Sequence, residues 1–311
     1  MNVLEIRELS KEFGDFKAVD GINLTVKQGE IYGLLGPNGA GKSTTINMIC
    51  GLLSKSSGEI FILNKNAHKN SNDIKREIGI VPQEIAIYED LTALENVIFF
   101  GSIYGLKGKD LKEKAMKALE FVGLLDKKKQ FPSKFSGGMK RRLNIACALV
   151  HEPKLVIMDE PTVGIDPQSR NHILESIKKL NKTGTTIIYT SHYMEEVEAI
   201  CTKIAIIDNG KVVAEGTKEE LKAKFKELNK IILKVSHIEN VDISKLKEIH
   251  GVDKVDCMGN TIEISTNTSI DNLDKILMVI MDSKVSIKSI EKTSIDLETV
   301  FLNLTGKKLR D

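Results

Sequence analysis

The chain has 311 residues, of which 41% are hydrophobic and 28% are charged, and its formal net charge at pH 7 is +2. This length is enough for one large domain or two ordinary ones, each with a substantial core. The small net charge gives no sign of the concentrated basic face that nucleic-acid binding needs, so we expect no nucleic-acid partner.

The four cysteines, Cys50, Cys147, Cys201 and Cys257, are far apart and form no CxxC pair. Neither a zinc knuckle nor a dithiol redox site is therefore indicated, and the cysteine usage suits a reducing cytosol. No apolar run approaches the roughly 18–20 residues that cross a bilayer, and the charged, alternating start is unlike a signal peptide. We expect that the chain is not itself a membrane channel.

The N-terminal half begins with strands at 3–9 and 21–26, followed by a buried strand at 29–36 that runs into a glycine-rich turn. Apolar positions at helical spacing predict a helix over 42–53, and the pattern is again helical from about 91 to 150.

Buried strands and helices then alternate, with a turn at Asn209-Gly210 inside a hairpin. The predicted elements are a strand at 154–161, a helix at 170–184, a strand at 185–192, a helix at 194–201 and the hairpin at 203–216. Alternation of this kind predicts an α/β fold with a mainly parallel core. The block at about 86–150 is interpreted as an inserted helical subdomain.

The sequence pattern changes after a charged helix predicted over 217–230, which could connect two domains. The following segments have the order β-α-β-β-α-β, which is ferredoxin-like, and a short amphipathic helix at 296–306 ends the pattern. We place the domain boundary near residue 225, with one domain at 1–225 and an accessory α+β domain at 226–311. Dimerising, regulatory and stabilising roles all stay open for the second domain.

The stretch GPNGAGKST matches the pattern G-x-x-x-x-G-K-[ST] between a predicted strand and a predicted helix, the context that a phosphate-binding loop requires. Its backbone amides would cradle phosphate oxygens, Lys42 would reach the β- and γ-phosphates, and the Ser43 hydroxyl would hold Mg²⁺. The predicted nucleotide-binding residues of this loop are Gly36, Pro37, Asn38, Gly39, Ala40, Gly41, Lys42, Ser43 and Thr44.

Asp159 and Glu160 end a predicted buried strand beside this loop. Asp159 is suited to securing the Mg²⁺, and Glu160 is then free to polarise an attacking water.

The stretch FSGGM, at 135–139, places a serine and two glycines before another helical pattern. This is typical of an anion-binding helix start, and a chain with one complete phosphate cradle has no obvious need of a second.

With these motifs the chain resembles the ATP-binding-cassette (ABC) ATPases over residues 1 to about 225. Further family motifs follow in the expected order: Gln83 in VPQE, the SGG turn, VGID after Glu160, and His192 in TSH. The resemblance implies a P-loop NTPase fold with an antiparallel β subdomain and a helical subdomain, and ATP and Mg²⁺ as ligands.

In this family the SGG turn binds the γ-phosphate held by a second nucleotide-binding domain. Ser136, Gly137 and Gly138 would thus act on a partner cassette, either an identical copy or a paralogue, and Asp166 would cross the interface. The common family pattern has Gln where this chain has Met139. The Lys-Arg-Arg run at 140–142 is interpreted as interface or surface charges.

The resemblance assigns further roles around the nucleotide. Gln83 would contact Mg²⁺ or the attacking water, His192 would contact the γ-phosphate and orient Glu160, and Phe13 would stack on adenine. A core position for Phe13 and a simple turn role for Asp166 stay open.

The same resemblance, in MDEPTVGIDPQSR and the closing DLETVFLNLTG, is to ATPase subunits of bacterial and archaeal antibiotic, multidrug and sodium exporters. It implies ATP-driven export through separate membrane permease subunits, with this chain at the cytoplasmic face of the cell membrane. Residues 84–92 would supply Ile85, Ile87 and Tyr88 to a permease contact, unless they pack inside the helical block. The alternative functions are a soluble ABC ATPase in translation or DNA repair, and a small-molecule kinase.

Overall fold

The structure is a computed structural model that describes residues 1–67, 69, 71–225, 230–266, 272–293 and 296–306. The chain divides into two compact units, and the second of them spans Lys218–Asn303. The first unit consists of Met1–Thr217 together with the described residues 304–306. The functional division that we expect near residue 225 stays a prediction.

The first unit contains two sheets and seven helices among its described residues. Its strands are β1 (Asn2–Phe13), β2 (Phe16–Lys27), β3 (Ile31–Leu35), β4 (Ser57–Ile62), β5 (Lys65–Asn66), β6 (Ile78–Val81), β7 (Leu155–Asp159), β8 (Thr186–Thr190), β9 (Lys203–Asp208) and β10 (Lys211–Gly216). Its helices are α1 (Lys42–Ile49), α2 (Ser71–Lys75), α3 (Ala93–Ile103), α4 (Gly108–Phe121), α5 (Gly137–Leu149), α6 (Pro167–Lys182) and α7 (Met194–Ile200).

The larger sheet has the strand order β10-β9-β3-β8-β7-β6. Every pairing in it is parallel except that of β9 with β10, which form the predicted hairpin. Strands β3 and β8 are buried along their whole length, as continuous apolar runs in a parallel sheet should be. This confirms the α/β core. Its parallel strands end at one edge, where the P-loop and the segments after β7 and β8 begin.

The smaller sheet is antiparallel, with the order β2-β1-β4-β5. It shares one apolar core with the larger sheet, through residues such as Leu4, Ile22, Ile62 and Leu34. The short strands β4, β5 and β6 were not predicted from the sequence.

Helices α3, α4 and α5 form the predicted helical block. Thr92 caps α3 in a capping box with Glu95: the Thr92 hydroxyl accepts from the Glu95 amide, and the Glu95 carboxylate accepts from the Thr92 amide at 2.8 Å. The block therefore begins its first helix a few residues later than the predicted limit of 86.

The second unit contains the predicted β-α-β-β-α-β series. Its elements are α8 (Lys218–Ala223), β11 (Lys230–Val235), α9 (Ile243–Glu248), β12 (Val252–Met258), β13 (Thr261–Thr266), α10 (Leu273–Asp282) and β14 (Ile287–Thr293), and α11 (Leu297–Thr305) follows. The strand order β12-β13-β11-β14, antiparallel throughout, is the ferredoxin-like order that the sequence predicts.

The charged helix predicted over 217–230 is shorter than expected. Helix α8 ends at Ala223, and Lys230 already belongs to β11, so the prediction was wrong at that end. Residues 226–229 of the predicted helix lie outside the described residues. Over the described part of the chain, none of the helices combines the length and apolarity that a bilayer crossing needs.

Candidate functional site

The predicted P-loop joins β3 to α1, and two of its glycines are required by close packing. A Cβ on Gly36 would lie 2.3 Å from the carbonyl oxygen of Ile207. Gly41 has a φ of +103°, and a Cβ there would lie 2.5 Å from the carbonyl oxygen of Ala18. Since only glycine fits either position, the loop can hold its backbone amides against the start of the helix.

Lys42 is buried at the first position of α1. Its Nζ donates to the carbonyl oxygens of Gly36 at 2.7 Å and Pro37 at 3.1 Å. Burial lowers the pKa of this ammonium group, and the carboxylates of Glu160 and Asp159 oppose that shift. The cation therefore lies within the electrostatic reach of both the predicted catalytic carboxylate and the predicted metal-binding one.

A cleft of about 350 Å³ opens over this loop. The residues that line it are Phe13, Phe16, Ala18, Asn38, Gly39, Ala40, Gly41, Lys42, Ser43, Thr44, Gln83, Glu160 and His192. The structure thus brings together residues from five separate segments of the sequence.

Phe13 lies at the mouth of the cleft and is 49% exposed, so the alternative of a core position is wrong. Lys11 Nζ lies 4.9 Å from the centroid of its ring. Phe16 joins it in the lining and is 63% exposed. Sequence reasoning missed Phe16, although its place beside Phe13 across a tight β-turn was a signal, since exposed ring faces suit a planar base.

Asp159 is the last residue of β7, and a threonine on the neighbouring strand holds it. Thr190 Oγ1 donates to Asp159 Oδ1 at 2.6 Å and accepts from the backbone amide of Glu160 at 2.9 Å. Burial raises the pKa of the Asp159 carboxyl group. One hydroxyl therefore fixes both the side chain of Asp159 and the backbone of Glu160.

Glu160 and His192 face each other in the cleft, with His192 Nε2 and Glu160 Oε1 2.5 Å apart. Glu160 is buried and has a φ of +48°, a conformation that costs free energy in a residue other than glycine. Among the described residues, Glu160 Oε2 and His192 Nδ1 find no hydrogen-bond partner. Buried polar atoms of this kind are suited to a ligand such as water or phosphate.

The SGG turn and Asp166 lie together, and none of them is among the described residues that line the cleft. Ser136 caps α5, and its Oγ accepts from the Met139 amide at 3.3 Å. Asp166 caps α6 through the Ser169 amide at 2.9 Å, and a Cβ on Gly138 would lie 2.2 Å from Ser169 Oγ. The two predicted interface elements are therefore packed against each other within one cassette.

Arg141 contradicts the prediction that residues 140–142 are interface or surface charges, because its side chain is 2% exposed. Its guanidinium donates to the carbonyl oxygens of Pro82, at 2.6 Å, and Gln83. The residue lies one helical turn before the buried Ile145 on the same face of α5, and that spacing was the signal for burial. Arg141 ties the helix behind the SGG turn to the segment that carries Gln83.

Residues 84–92 form a surface segment held by one buried asparagine. Asn96 Oδ1 accepts from the Tyr88 amide at 2.8 Å, and its Nδ2 donates to the carbonyl oxygens of Tyr88 at 2.8 Å and Leu91 at 3.0 Å. The Tyr88 ring is edge-on to Phe99, with centroids 4.9 Å apart, and remains 50% exposed. Packing within the helical block therefore covers only part of this segment.

The donor set in the cleft fits a magnesium ion. Mg²⁺ prefers hard oxygen ligands and usually takes one or two carboxylates in addition to phosphate. Ser43 is exposed at the start of α1 and lines the cleft together with Gln83. Asp159 is not among the described residues that line the cleft, but it directly precedes Glu160, which does.

Comparison with known proteins gives consistent results. A family model described as ABC transporter matches residues 19–163. The chain is 46% identical to the linearmycin resistance ATP-binding protein LnrL of Bacillus subtilis, over 99% of this chain and 100% of that protein. It is 34% identical to the Nod factor export ATP-binding protein I of Cupriavidus metallidurans, over 99% of both. These relatives favour a transporter over a soluble machine of translation or repair.

Solved structures show the same fold for the cassette. The structure of an ATP-binding subunit of an ABC transporter is 32% identical, with a TM-score of 0.66, and the match covers 72% of this chain and 93% of that one. A dimeric ATP-binding cassette in a post-hydrolysis state, bound to ADP and Pi, is 29% identical with a TM-score of 0.62 and coverage of 69% and 98%.

Proposed function

The chain belongs to the ATP-binding subunits of ABC transporters and is an ATPase, and we propose that it hydrolyses ATP between two cassettes to drive export through separate membrane subunits. The observation that carries the proposal is the pair of Glu160 and His192, 2.5 Å apart beside the P-loop. One relative is named for Nod factor export and another for linearmycin resistance, and outward transport is compatible with both names.

ATP would lie in the cleft with its base against Phe13 and its phosphates over the P-loop. The ring face of Phe13 is open to a planar base, and Phe16 widens the same apolar surface. The backbone amides between Gly39 and Thr44 would surround the β-phosphate, and Lys42 would exchange its carbonyl partners for phosphate oxygens.

Ser43, Gln83 and Asp159 would hold Mg²⁺ together with the phosphates. When bound, the ion would neutralise the charge that develops on the β- and γ-phosphates.

Hydrolysis depends on Glu160 and His192. The Glu160 carboxylate would accept a hydrogen bond from the attacking water and polarise it, while its Oε2 is free of protein partners among the described residues. His192 Nε2 contacts Glu160 Oε1 in the structure. When ATP binds, His192 would give up part of this contact and bind the γ-phosphate. Burial of Glu160 strengthens both interactions, since little water competes there.

A second cassette would complete the site. ABC ATPase domains dimerise, and one of the related structures is itself a dimer. In our proposal, Ser136, Gly137 and Gly138 bind the γ-phosphate on the partner's P-loop, and Asp166 crosses to the partner beside them. The exposure of Ser136 and Gly137 in this cassette leaves the start of α5 accessible to such a ligand.

The membrane subunits would dock on the segment around Tyr88. Tyr88, Phe99 and Ile103 are 50%, 38% and 64% exposed, an unusual apolar content for a surface. Asn96 holds the backbone of this segment by hydrogen bonds. Arg141 connects Gln83, which directly precedes the segment, to α5. Docking there would place the chain at the cytoplasmic face of the membrane and would transmit movement of the helical block to the transporter.

The deciding experiment is light scattering on Glu160→Gln in the presence and absence of ATP. The variant keeps the shape of the side chain but loses its basicity, so we expect hydrolysis to fall at least about a thousandfold while ATP binding persists. The trapped ATP should then shift the protein from monomer to dimer.

The wild-type chain, which turns ATP over, is the control and should show a smaller dimer fraction under the same conditions. Normal turnover by Glu160→Gln would remove Glu160 from its proposed role. A variant that is inactive but stays monomeric would contradict a homodimer, and the measurement would be repeated with candidate paralogous cassettes.

A further inference from the structure

A buried carboxylate that does not line the cleft lies behind the catalytic pair. Glu196, on α7, is 2% exposed. Its Oε2 accepts hydrogen bonds from Thr162 Oγ1 at 2.8 Å, Tyr189 OH at 2.8 Å and Ser191 Oγ at 2.5 Å. Each of these donors is itself almost fully buried, so none can exchange its bond for one to water.

The second oxygen of Glu196 faces a cation. Arg170 Nε lies 3.4 Å from Glu196 Oε1, and the Arg170 guanidinium lies over the ring of Tyr193, 4.1 Å from its centroid. A buried charge is tolerated when it is paired and hydrogen-bonded. In Glu196 the hydrogen bonds converge on Oε2, whereas Oε1 is paired with Arg170 by charge and has no hydrogen-bond partner among the described residues.

The groups around Glu196 come from the segments that carry the proposed catalytic and interface residues. Thr162 lies between Glu160 and Asp166, and Ser191 directly precedes His192. Ser191 Oγ also accepts from the Tyr193 amide at 2.9 Å, which fixes the backbone on the other side of His192. Arg170 lies one turn into the helix that Asp166 caps.

We propose that Glu196 is a positioning residue for ATP hydrolysis: it joins the segment after β7 to the segment after β8 and so sets the distance between Glu160 and His192. The proposal rests on the roles given to those two residues above. Glu196 is buried and is not among the described residues that line the cleft, so its effect on the reaction would be indirect. It acts because a shift of either segment would change the 2.5 Å contact between His192 Nε2 and Glu160 Oε1.

This arrangement predicts a selective defect. Glu196 is not among the described residues that line the cleft with the P-loop and Phe13, so we expect ATP affinity to be independent of it. The orientation of Glu160 and His192 should depend on it, and loss of orientation in a catalytic pair lowers kcat.

The test compares two tyrosines that are matched in burial and bonding. Tyr189 and Tyr32 are both fully buried, on adjacent strands of the same sheet, and each donates its hydroxyl to a glutamate at 2.8 Å. Tyr189 donates to Glu196, whereas Tyr32 donates to Glu215 on β10. Replacement by Phe removes one tyrosine hydrogen bond in each case; Glu196 is buried, whereas Glu215 is partly exposed and also pairs with Lys203.

We would measure kcat and the Kd for ATP on the full chain for Tyr189→Phe, Tyr32→Phe, Thr162→Val and Glu196→Gln. Tyr189→Phe and Thr162→Val should each lower kcat about three- to tenfold, and Glu196→Gln about ten- to a hundredfold, with Kd within about twofold of wild type. Tyr32→Phe should keep kcat within about twofold.

Equal kcat values for Tyr189→Phe and Tyr32→Phe would overturn the proposal, as would a loss of ATP affinity that parallels the loss of kcat. If Glu196→Gln does not fold, the two tyrosine variants still decide. Glu160→Gln is measured alongside: if it is active, the proposed function fails, whereas an inactive Glu160→Gln with a fully active Glu196→Gln removes only the role of Glu196.

Discussion

The turns that begin α1 and α5 both place glycines ahead of a helix, but they treat the free amides of the first turn differently. Gly41 caps α1 without a side-chain hydrogen bond, so the amides that follow it remain available to phosphate. Ser136 caps α5, and its hydroxyl already accepts from the amide of Met139. The amides in the first turn of α1 are therefore available to phosphate, whereas one amide in the first turn of α5 is already capped by the Ser136 hydroxyl.

The glycines of the two turns also differ in what they contact. Gly36 and Gly41 approach backbone carbonyls of the same cassette, and Gly138 approaches Ser169. A Cβ on Gly137 would meet only Ile165 Cδ1, at 3.9 Å. Each turn thus combines closely packed glycines with an open one, since a Cβ on Gly39 of the P-loop would meet nothing within 4 Å.

The largest effect that separates the two turns is expected for Lys42→Ala. Loss of a charge-assisted contact to the β- and γ-phosphates should raise the Kd for ATP about a hundredfold. Isothermal titration calorimetry would measure it. Lys140→Ala, which removes a cation near the start of α5 that pairs with Glu89, is the control and should bind ATP normally. Unchanged affinity in Lys42→Ala would contradict the P-loop assignment.

Ser136→Arg should separate binding from dimerisation. Ser136 is exposed, so the arginine fits in the monomer, and ATP affinity should stay within about twofold of wild type. In the Glu160→Gln background its bulk should weaken the ATP-dependent dimer at least about tenfold, as judged by light scattering. Ser136→Ala is the comparison variant, because it loses the same cap, worth about 1 kcal/mol, and the same proposed phosphate contact without adding bulk. Dimers of normal stability in Ser136→Arg would exclude the turn from the interface.

Local patterns in the sequence were sufficient to predict the P-loop, the strand before Asp159 and the ferredoxin-like order, because each depends on residues that are close in the chain. Arg141 and Glu196 could not be placed in the same way. Arg141 donates to the carbonyl oxygen of Gln83, and Glu196 accepts from the hydroxyl of Thr162. The members of each pair are far apart in the sequence and become neighbours only when the parallel strands align. The run at 140–142 is interpreted from the sequence as interface or surface charges, and the period of α5 instead places Arg141 in the interior.

The missed strands β5 and β6 have two and four residues and lie at sheet edges, so each shows little alternation, whereas β4 is an interior strand of six residues. The end of α8 was missed because its charged pattern continues into Lys230, which pairs with Ser265 and Thr293 in the sheet of the second unit. Strand pairing thus excludes Lys230, the last residue of the predicted range, from the helix.

A smaller effect is expected from adding one methyl group to each glycine of the SGG turn. Gly138→Ala would place its Cβ 2.2 Å from Ser169 Oγ and should lower the free energy of unfolding by about 1–3 kcal/mol. Gly137→Ala meets no such contact and should be stable, yet it should still weaken the ATP-dependent dimer. Urea denaturation measures the first effect and light scattering the second. Equal stability of the two variants would mean that α5 and α6 are less closely packed than described.

The smallest effects concern the aspartates beside the two turns, whose pKa values shift in opposite directions. Burial raises the pKa of Asp159, whereas hydrogen bonds from Ser169 lower the pKa of the exposed Asp166. Ionised Asp159 therefore costs stability above the ordinary carboxyl pKa of about 4, and ionised Asp166 contributes stability over the same range. At pH 7, Asp159→Asn should raise the melting temperature of the nucleotide-free protein and Asp166→Asn should lower it.

Asparagine keeps a hydrogen-bond acceptor at both positions, so the comparison isolates the charge. Both differences should shrink as the pH falls toward 4, because the wild-type carboxyl groups then become protonated in the unfolded chain. Thermal denaturation at several pH values would test the signs. A lower melting temperature for Asp159→Asn at neutral pH would mean that ionised Asp159 stabilises the empty cleft, and that Lys42 outweighs the cost of burying its charge.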